Sequence, residues 1–130
     1  MKLIKKTLLL LACVSASASF AAYPDKQITM IVPYAPAGST DVLGRILAQV
    51  LSKDLGQPVV VDNKSGASGA IGSLEVKNSL PDGYTLLVYG PPFWIGPLIE
   101  KASFDPMRDF ITIVLTISSP NVLAVHPSVP

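Results

Sequence analysis

Apolar and polar positions fall along the chain in blocks whose spacing predicts most of its elements. "QITMIVPY" is nearly all apolar and is closed by Pro33, the pattern of a strand buried on both faces. In "TDVLGRILAQVLSKDLG", Val42, Leu43, Ile46, Leu47, Val50 and Leu51 recur at helical spacing. Ser39 or Thr40 is placed to cap that helix, Asp41 favours its positive end, and Gly56 is placed to stop it. "PVVVDN" reads as a short strand of β-branched residues. "KSGASGAIG" is a small-residue loop that opens a weaker helix, "AIGSLEVKNSL". "PDGY" carries turn residues, and "YTLLVYG" reads as a third strand. "PPFWIGPLIEKASFDPMRDF" is a proline-broken connection with room for one helical turn. "ITIVLTIS" and "NVLAVHP" read as the last strands.

Strands alternating with helices predict an α/β fold: a mainly parallel sheet flanked by helices on both faces. The order expected is βαβαβ, an irregular stretch, then two strands. No internal repeat or low-complexity segment follows the first twenty or so residues.

That first stretch has a different pattern. "MKLIKK" is basic, "TLLLLACV" is a short apolar run, and "SASASFAA" supplies small residues. This is the layout of a secretory signal peptide, with cleavage expected after Ala21, or after Ala18 as the fallback. The apolar run is too short to span a bilayer. "LLAC" loosely resembles a lipoprotein box with Cys13 as the lipidated residue, but Leu11 sits where that box prefers something smaller. The favoured expectation is that Cys13, the chain's one cysteine, leaves with the leader. The remainder then has no thiol chemistry and no disulfide.

The leader distorts the bulk composition. Net charge is +1, but Lys2, Lys5 and Lys6 belong to the leader, so the remainder is slightly acidic. No basic patch points to nucleic acid. The mean hydropathy of +0.48 is likewise raised by the leucine run. No other segment is long and apolar enough to cross a membrane, and the remainder reads as exported to the periplasm.

Chemistry is expected in the loops. In open parallel sheets, ligands bind beyond the carboxyl ends of the strands. "YAPAGST" and "NKSGASG" each follow a strand and precede a helix, so both belong to that edge. Small residues let a ligand approach the backbone, and free N–H groups at a helix start favour an anion such as a carboxylate. The candidate binding residues are Tyr34, Ala35, Pro36, Ala37, Gly38, Ser39, Thr40 and Asp41 in the first loop. In the second they are Ser65, Gly66, Ala67, Ser68 and Gly69. The pattern also fits a pair of ordinary tight turns. Asp41 would repel a bare carboxylate. Its roles are to stabilise the helix start, to hold the loop through backbone N–H bonds, or to meet a ligand ammonium, with the first favoured.

Other motifs carry less. Gly66, Gly69 and Gly72 do not have the G-x-G-x-x-G spacing of a dinucleotide site, and no G-x-x-x-x-G-K-[ST] is present. His126 is the only histidine, with no neighbouring cysteine, so neither a metal site nor a Ser–His–Asp triad is expected. No cofactor is expected. Phe93 and Trp94 fit core or hinge packing better than a cleft wall.

The stretch from "YPDKQITMIVPYAPAGSTD" through "VVVDNKSGASGAIG", then "PDGYTLL", "FDPMRDF" and "PNVLAVHPSVP", resembles the Bug family. These are periplasmic solute-binding receptors of tripartite tricarboxylate transporters. Five motifs occur in order, over nearly everything after the leader. The family's first loop is close to P-[FY]-x-P-G-G-x-T-D. Pro33, Tyr34, Pro36, Gly38, Thr40 and Asp41 match it, and Ala37 stands where glycine is usual. The second loop, E-N-[RK]-P-G-A-G-G in the family, is matched by Asn63, Lys64, Gly66, Ala67 and Gly69. Asp62, Ser65 and Ser68 depart from it. Should the Ala37 position need a positive φ, alanine strains the loop.

The resemblance implies a periplasmic-binding-protein-like (type II) clamshell of two α/β domains, on the order of 300 residues. It implies a receptor, not an enzyme. The ligand would be a small carboxylate: a di- or tricarboxylate, an aromatic acid or an amino acid. Membrane subunits of the transporter would be partners. Against that length, residues 1–21 are the leader, 22–115 the N-terminal part of domain one, and 116–130 crossover strands toward a second domain. Only the first part of the fold is expected, and an isolated piece of it should be poorly stable. The competing expectations are an exported enzyme using Asp41, Asp62 or His126 on an acidic substrate, a module anchored through Cys13, and a truncated copy without function.

Overall fold

The structure, a computed structural model, describes residues 22–99, 103–118 and 124–128. The leader, Cys13 and residues 121–123 of the expected last strand lie outside the described residues.

β1 (Ile28–Val32) leads into α1 (Ser39–Leu55), β2 (Val59–Asn63), and a 3₁₀ turn over Ala67–Gly69 that runs into α2 (Ala70–Lys77). β3 (Thr85–Leu87) and α3 (Pro92–Ile99) follow. The strands are parallel in the order β2-β1-β3. β1 is therefore central, and Ile28, Met30, Ile31 and Val32 are almost wholly buried.

Alternation along β1 gives each helix its own face. Met30 and Val32 point to α1, where Gly44 lies so near that a Cβ there would sit 2.9 Å from Val32 Cγ2. Ile31 and Pro33 point to α2, where a Cβ on Gly72 would sit 3.1 and 3.0 Å from them. Glycine at these contacts lets both helices lie close to the sheet. Ile28, Met30, Ala48 and Val59 form the buried cluster on the α1 side, flanked by Leu47 and Leu51.

Several expectations need correction. α1 buries Asp41, Gly44 and Ala48, while Val42, Ile46 and Val50 are about half exposed. The apolar stripe is wider than the contact, because the small residues are what fit against the strands. The N-cap is Gly38, not Ser39 or Thr40, and no side chain caps the helix. Asp41 instead reaches back to the Ala37 N–H. Gly56 ends the helix as expected, in the left-handed conformation with its N–H on Ser52 O.

β3 spans three residues rather than the whole of "YTLLVYG". The proline-rich connection holds eight helical residues instead of one turn. Pro92 opens α3, where no N–H is needed. Phe93 is buried against Phe104 (centroids 5.6 Å) and Phe110 (5.0 Å), which anchors the helix. Phe93 thus packs a core, as expected, with Trp94 edge-on to it at 4.9 Å.

The strand expected over 111–118 is not formed, and Ile111, Ile113, Val114, Leu115 and Ile117 are exposed. High β-propensity makes a strand only where a neighbouring backbone completes the ladder. Among the described residues none lies beside this segment.

Candidate functional site

The chain leaves β1, crosses through α1 to β2 on one side, and returns through α2 to β3 on the other. The carboxyl end of β1 is therefore a topological switch point, where diverging connections open a crevice. The loop after β1, the loop after β2 and Tyr89 after β3 all belong to this edge.

The first loop lines an open concavity of about 470 Å³ formed by Tyr34, Ala35, Pro36, Ala37, Gly38, Ser39 and Thr40. The last two of these, Ser39 and Thr40, begin α1. Its first N–H groups have no intrahelical partners, and with no side-chain cap they remain available to a ligand.

Asp41 lies behind this loop, 2% exposed, and does not line the concavity. Its Oδ2 accepts from the Ala37 N–H at 2.8 Å and from Arg45 Nε at 2.9 Å. Its Oδ1 accepts from Asn63 Nδ2 at 2.9 Å. Asn63 Nδ2 also donates to Tyr34 O at 3.1 Å, and Arg45 Nη2 donates to Asn63 Oδ1 at 3.1 Å. One carboxylate thereby ties the loop at Ala37, the helix at Arg45 and the end of β2 at Asn63. Hydrogen bonds from Arg45, then Asn63, then Ala37 hold its pKa down to about 2. Arg45 also answers the objection that Asp41 would repel an acid, because its charge is already paired.

Ala37 has φ 68°, the left-handed region. The condition under which alanine strains this loop is met.

The second loop is built differently. Gly66, Ala67, Ser68 and Gly69 all have positive φ, at 129°, 47°, 51° and 84°. This left-handed turn is closed by the Gly69 N–H on Gly66 O at 2.9 Å, and by buried Ser73 Oγ donating to Gly69 O at 3.0 Å. The Tyr89 hydroxyl donates to Ser68 O. Ser65 to Ser68 are exposed and Gly69 is buried. This loop does not line the concavity of the first. Tyr89 connects them, with its ring edge-on to Tyr34 at 5.5 Å.

Sequence reasoning missed Arg45, Asn63 as a partner of Asp41, and Tyr89. Arg45 stands four residues after Asp41, a spacing that places the two side chains together on a helix. Tyr89 follows β3 by two residues, on the same edge as both loops. The groups that an enzyme would have used are otherwise engaged. Asp62 pairs with Lys64 at 3.2 Å, and His126 Nδ1 lies 2.8 Å from Ser128 Oγ within its own turn. Among the described residues no cluster of three or more His, Cys, Asp or Glu could hold a metal. Among them too, no helix is long and apolar enough to cross a membrane.

Residues 43–130 match the family described as tripartite tricarboxylate transporter family receptor, TctC. The chain belongs to this family. Protein BugT of Bordetella pertussis is 40% identical over 119 residues, 89% of this chain and 36% of its own. The chain spans about a third of the length of the curated relatives it matches. Among solved structures, the periplasmic binding protein BugD is similar with TM-score 0.56 and 43% identity, over 58% of this chain and 25% of its own. MatC from Rhodopseudomonas palustris, with bound malate, gives TM-score 0.59 and 32% identity, over 68% of this chain and 31% of its own. The expected Bug-type, TctC receptor fold is thus borne out: a parallel sheet flanked by helices, of which this chain supplies part. The family is one of solute-binding receptors, not enzymes.

Proposed function

We propose that this chain is the N-terminal part of a periplasmic receptor that captures a small carboxylate and delivers it to the membrane subunits of a tripartite transporter. Residues 22–115 are taken as the beginning of domain one of a clamshell, and 116–130 as its crossover toward a second domain. Residues 1–21 are taken as the leader that exports it. The carboxylate sits at the carboxyl edge of the sheet, against Tyr34–Thr40, with Ser65–Gly69 beside it.

One observation carries the reading. The uncapped start of α1 forms the wall of a concavity at the switch point, where backbone N–H groups and the helix dipole favour an anion. Ser39 and Thr40 add hydroxyl donors. The malate bound by MatC supports a dicarboxylate as the first ligand to test.

Calorimetry on the full-length receptor with malate, adipate and an uncharged malate diamide tests this. A dicarboxylate should bind and the diamide should not. Ser39→Asp places a negative charge at the helix start, which suits the helix but repels an acid. It should leave the melting temperature unchanged or raised while weakening binding by about tenfold or more. Binding insensitive to Ser39→Asp, or no binding of any dicarboxylate, would overturn the proposal.

A further inference from the structure

The Tyr89 phenol occupies a space that only glycine leaves open. A Cβ on Gly69 would sit 2.0 Å from Tyr89 Oη, so the ring lies directly over the left-handed turn. Its hydroxyl holds Ser68 O from that position. Ala67 and Ser68 are L-residues at positive φ, a conformation each adopts at a cost of about 1–2 kcal/mol. Such a turn persists where surrounding structure over-determines it. Tyr89 supplies part of that constraint from outside the loop.

The ring itself is seated between the two halves of the site. Tyr34 meets it edge-on at 74°, and Phe93 packs behind it at 5.5 Å. Phe93 is in turn held by Phe104 and Phe110, which meet each other at 5.7 Å. A continuous row of aromatic contacts therefore runs from the first loop, through Tyr89, to the segment after α3. That segment is pinned to α2 by Lys77 Nζ on Asp109 at 2.8 Å.

From this geometry we infer that Tyr89 is a positioning residue for ligand capture. Its hydroxyl sets the turn at 66–69, and its ring fixes that turn against the first loop. The aromatic row behind Tyr89 tunes affinity without touching ligand. The inference rests on the carboxylate site proposed above. Burial, and then the neighbouring Tyr34, push the phenol up to about 12, so it remains a donor throughout the physiological range.

Tyr89→Phe in the full-length receptor removes the hydroxyl and keeps the ring. Two readouts separate this inference from the functional reading. Amide hydrogen exchange over residues 66–70, without ligand, should accelerate by about tenfold while the melting temperature moves by less than about 2 °C. Malate affinity should fall by about tenfold in the same variant. Phe93→Leu keeps the hydroxyl but loosens the ring, and should reproduce a smaller part of both effects. Unchanged exchange in Tyr89→Phe would overturn the inference, as would faster exchange with unchanged affinity for malate. Should the wild type bind no dicarboxylate, the functional reading fails on its own. The exchange measurement then still decides whether Tyr89 sets the turn.

Discussion

The two loops belong to one sheet edge but are held by different physics. The first is tied from behind by a charged network, in which Asp41, Arg45 and Asn63 join three elements through hydrogen bonds. The second has only the partly exposed pairs of Lys64 with Asp62 and Glu75 at its start. It is a run of positive-φ residues closed by its own backbone, by Ser73, and by an aromatic hydroxyl lying over a glycine. Charge-assisted bonds tolerate small displacements of the partners. A left-handed turn under a phenol does not, because the backbone conformation and the free space over Gly69 are both all-or-none. The loops should therefore fail differently.

The largest effect is expected in the second loop. Gly69→Ala places a Cβ into Tyr89 and forces an L-residue to φ near 84°. It should destabilise by about 2–4 kcal/mol in chemical denaturation, and Tyr89→Ala should restore part of that by vacating the space. A Gly69→Ala protein as stable as wild type would mean the ring does not press on the turn.

Next comes the first loop. Asp41→Ala leaves the Ala37 N–H and Arg45 Nε without their acceptor, and leaves Asn63 Nδ2 with Tyr34 O alone. The melting temperature should drop by about 3–6 °C. Exchange should accelerate at 37–40 while residues 66–70 keep their protection, since no bond of the network reaches them. Loss of protection at both loops together would merge the two into one cooperative unit.

pH separates them on the acid side. Asp41 is held to about 2, below the ordinary carboxylate value near ~3.9. The native state thus binds its proton less readily than the unfolded chain. The contribution is full above pH ~4 and drains as pH falls toward about 2. Asp109, lowered by Arg108 and then Lys77, adds to the same acid limb. Tyr89 is raised to about 12, so its contribution is full below pH ~10 and is lost as pH rises through about 12. Only exchange at 37–40 should respond to acid, while the base response is shared, because burial also raises the Tyr34 phenol in the first loop. Asp41→Asn should flatten the first response only.

Much of this was readable in the chain. The strands β1 and β2 and the helix α1 follow from local pattern, because the central strand is apolar but for Thr29 and α1 keeps its 3.6-residue period. Both loops announced themselves by small residues between a strand and a helix. What the pattern did not carry is pairing across distance. Asn63 meets Asp41 from 22 residues away, and Tyr89 meets Ser68 from 21. Residues 111–118 show the same gap from the other side. Their apolar, β-branched composition predicts a strand, but a ladder depends on a neighbour, and the segment lies exposed.

The smallest effect has the opposite sign and lies where the two loops share one feature. Ala37, like Ala67 and Ser68, is an L-residue in the left-handed region. Ala37→Gly removes about 1–2 kcal/mol of steric cost and adds about 0.5–1 kcal/mol of chain entropy to be lost on folding. The net should be a gain of roughly 0.5–1 kcal/mol, read as a higher denaturation midpoint at unchanged slope. Ligand affinity should stay the same, because the Asp41 network already fixes where the Ala37 N–H lies. A gain in stability with altered affinity would mean that the network follows the loop conformation instead of setting it. The distinction between a loop held from behind and a loop held from above would then fall.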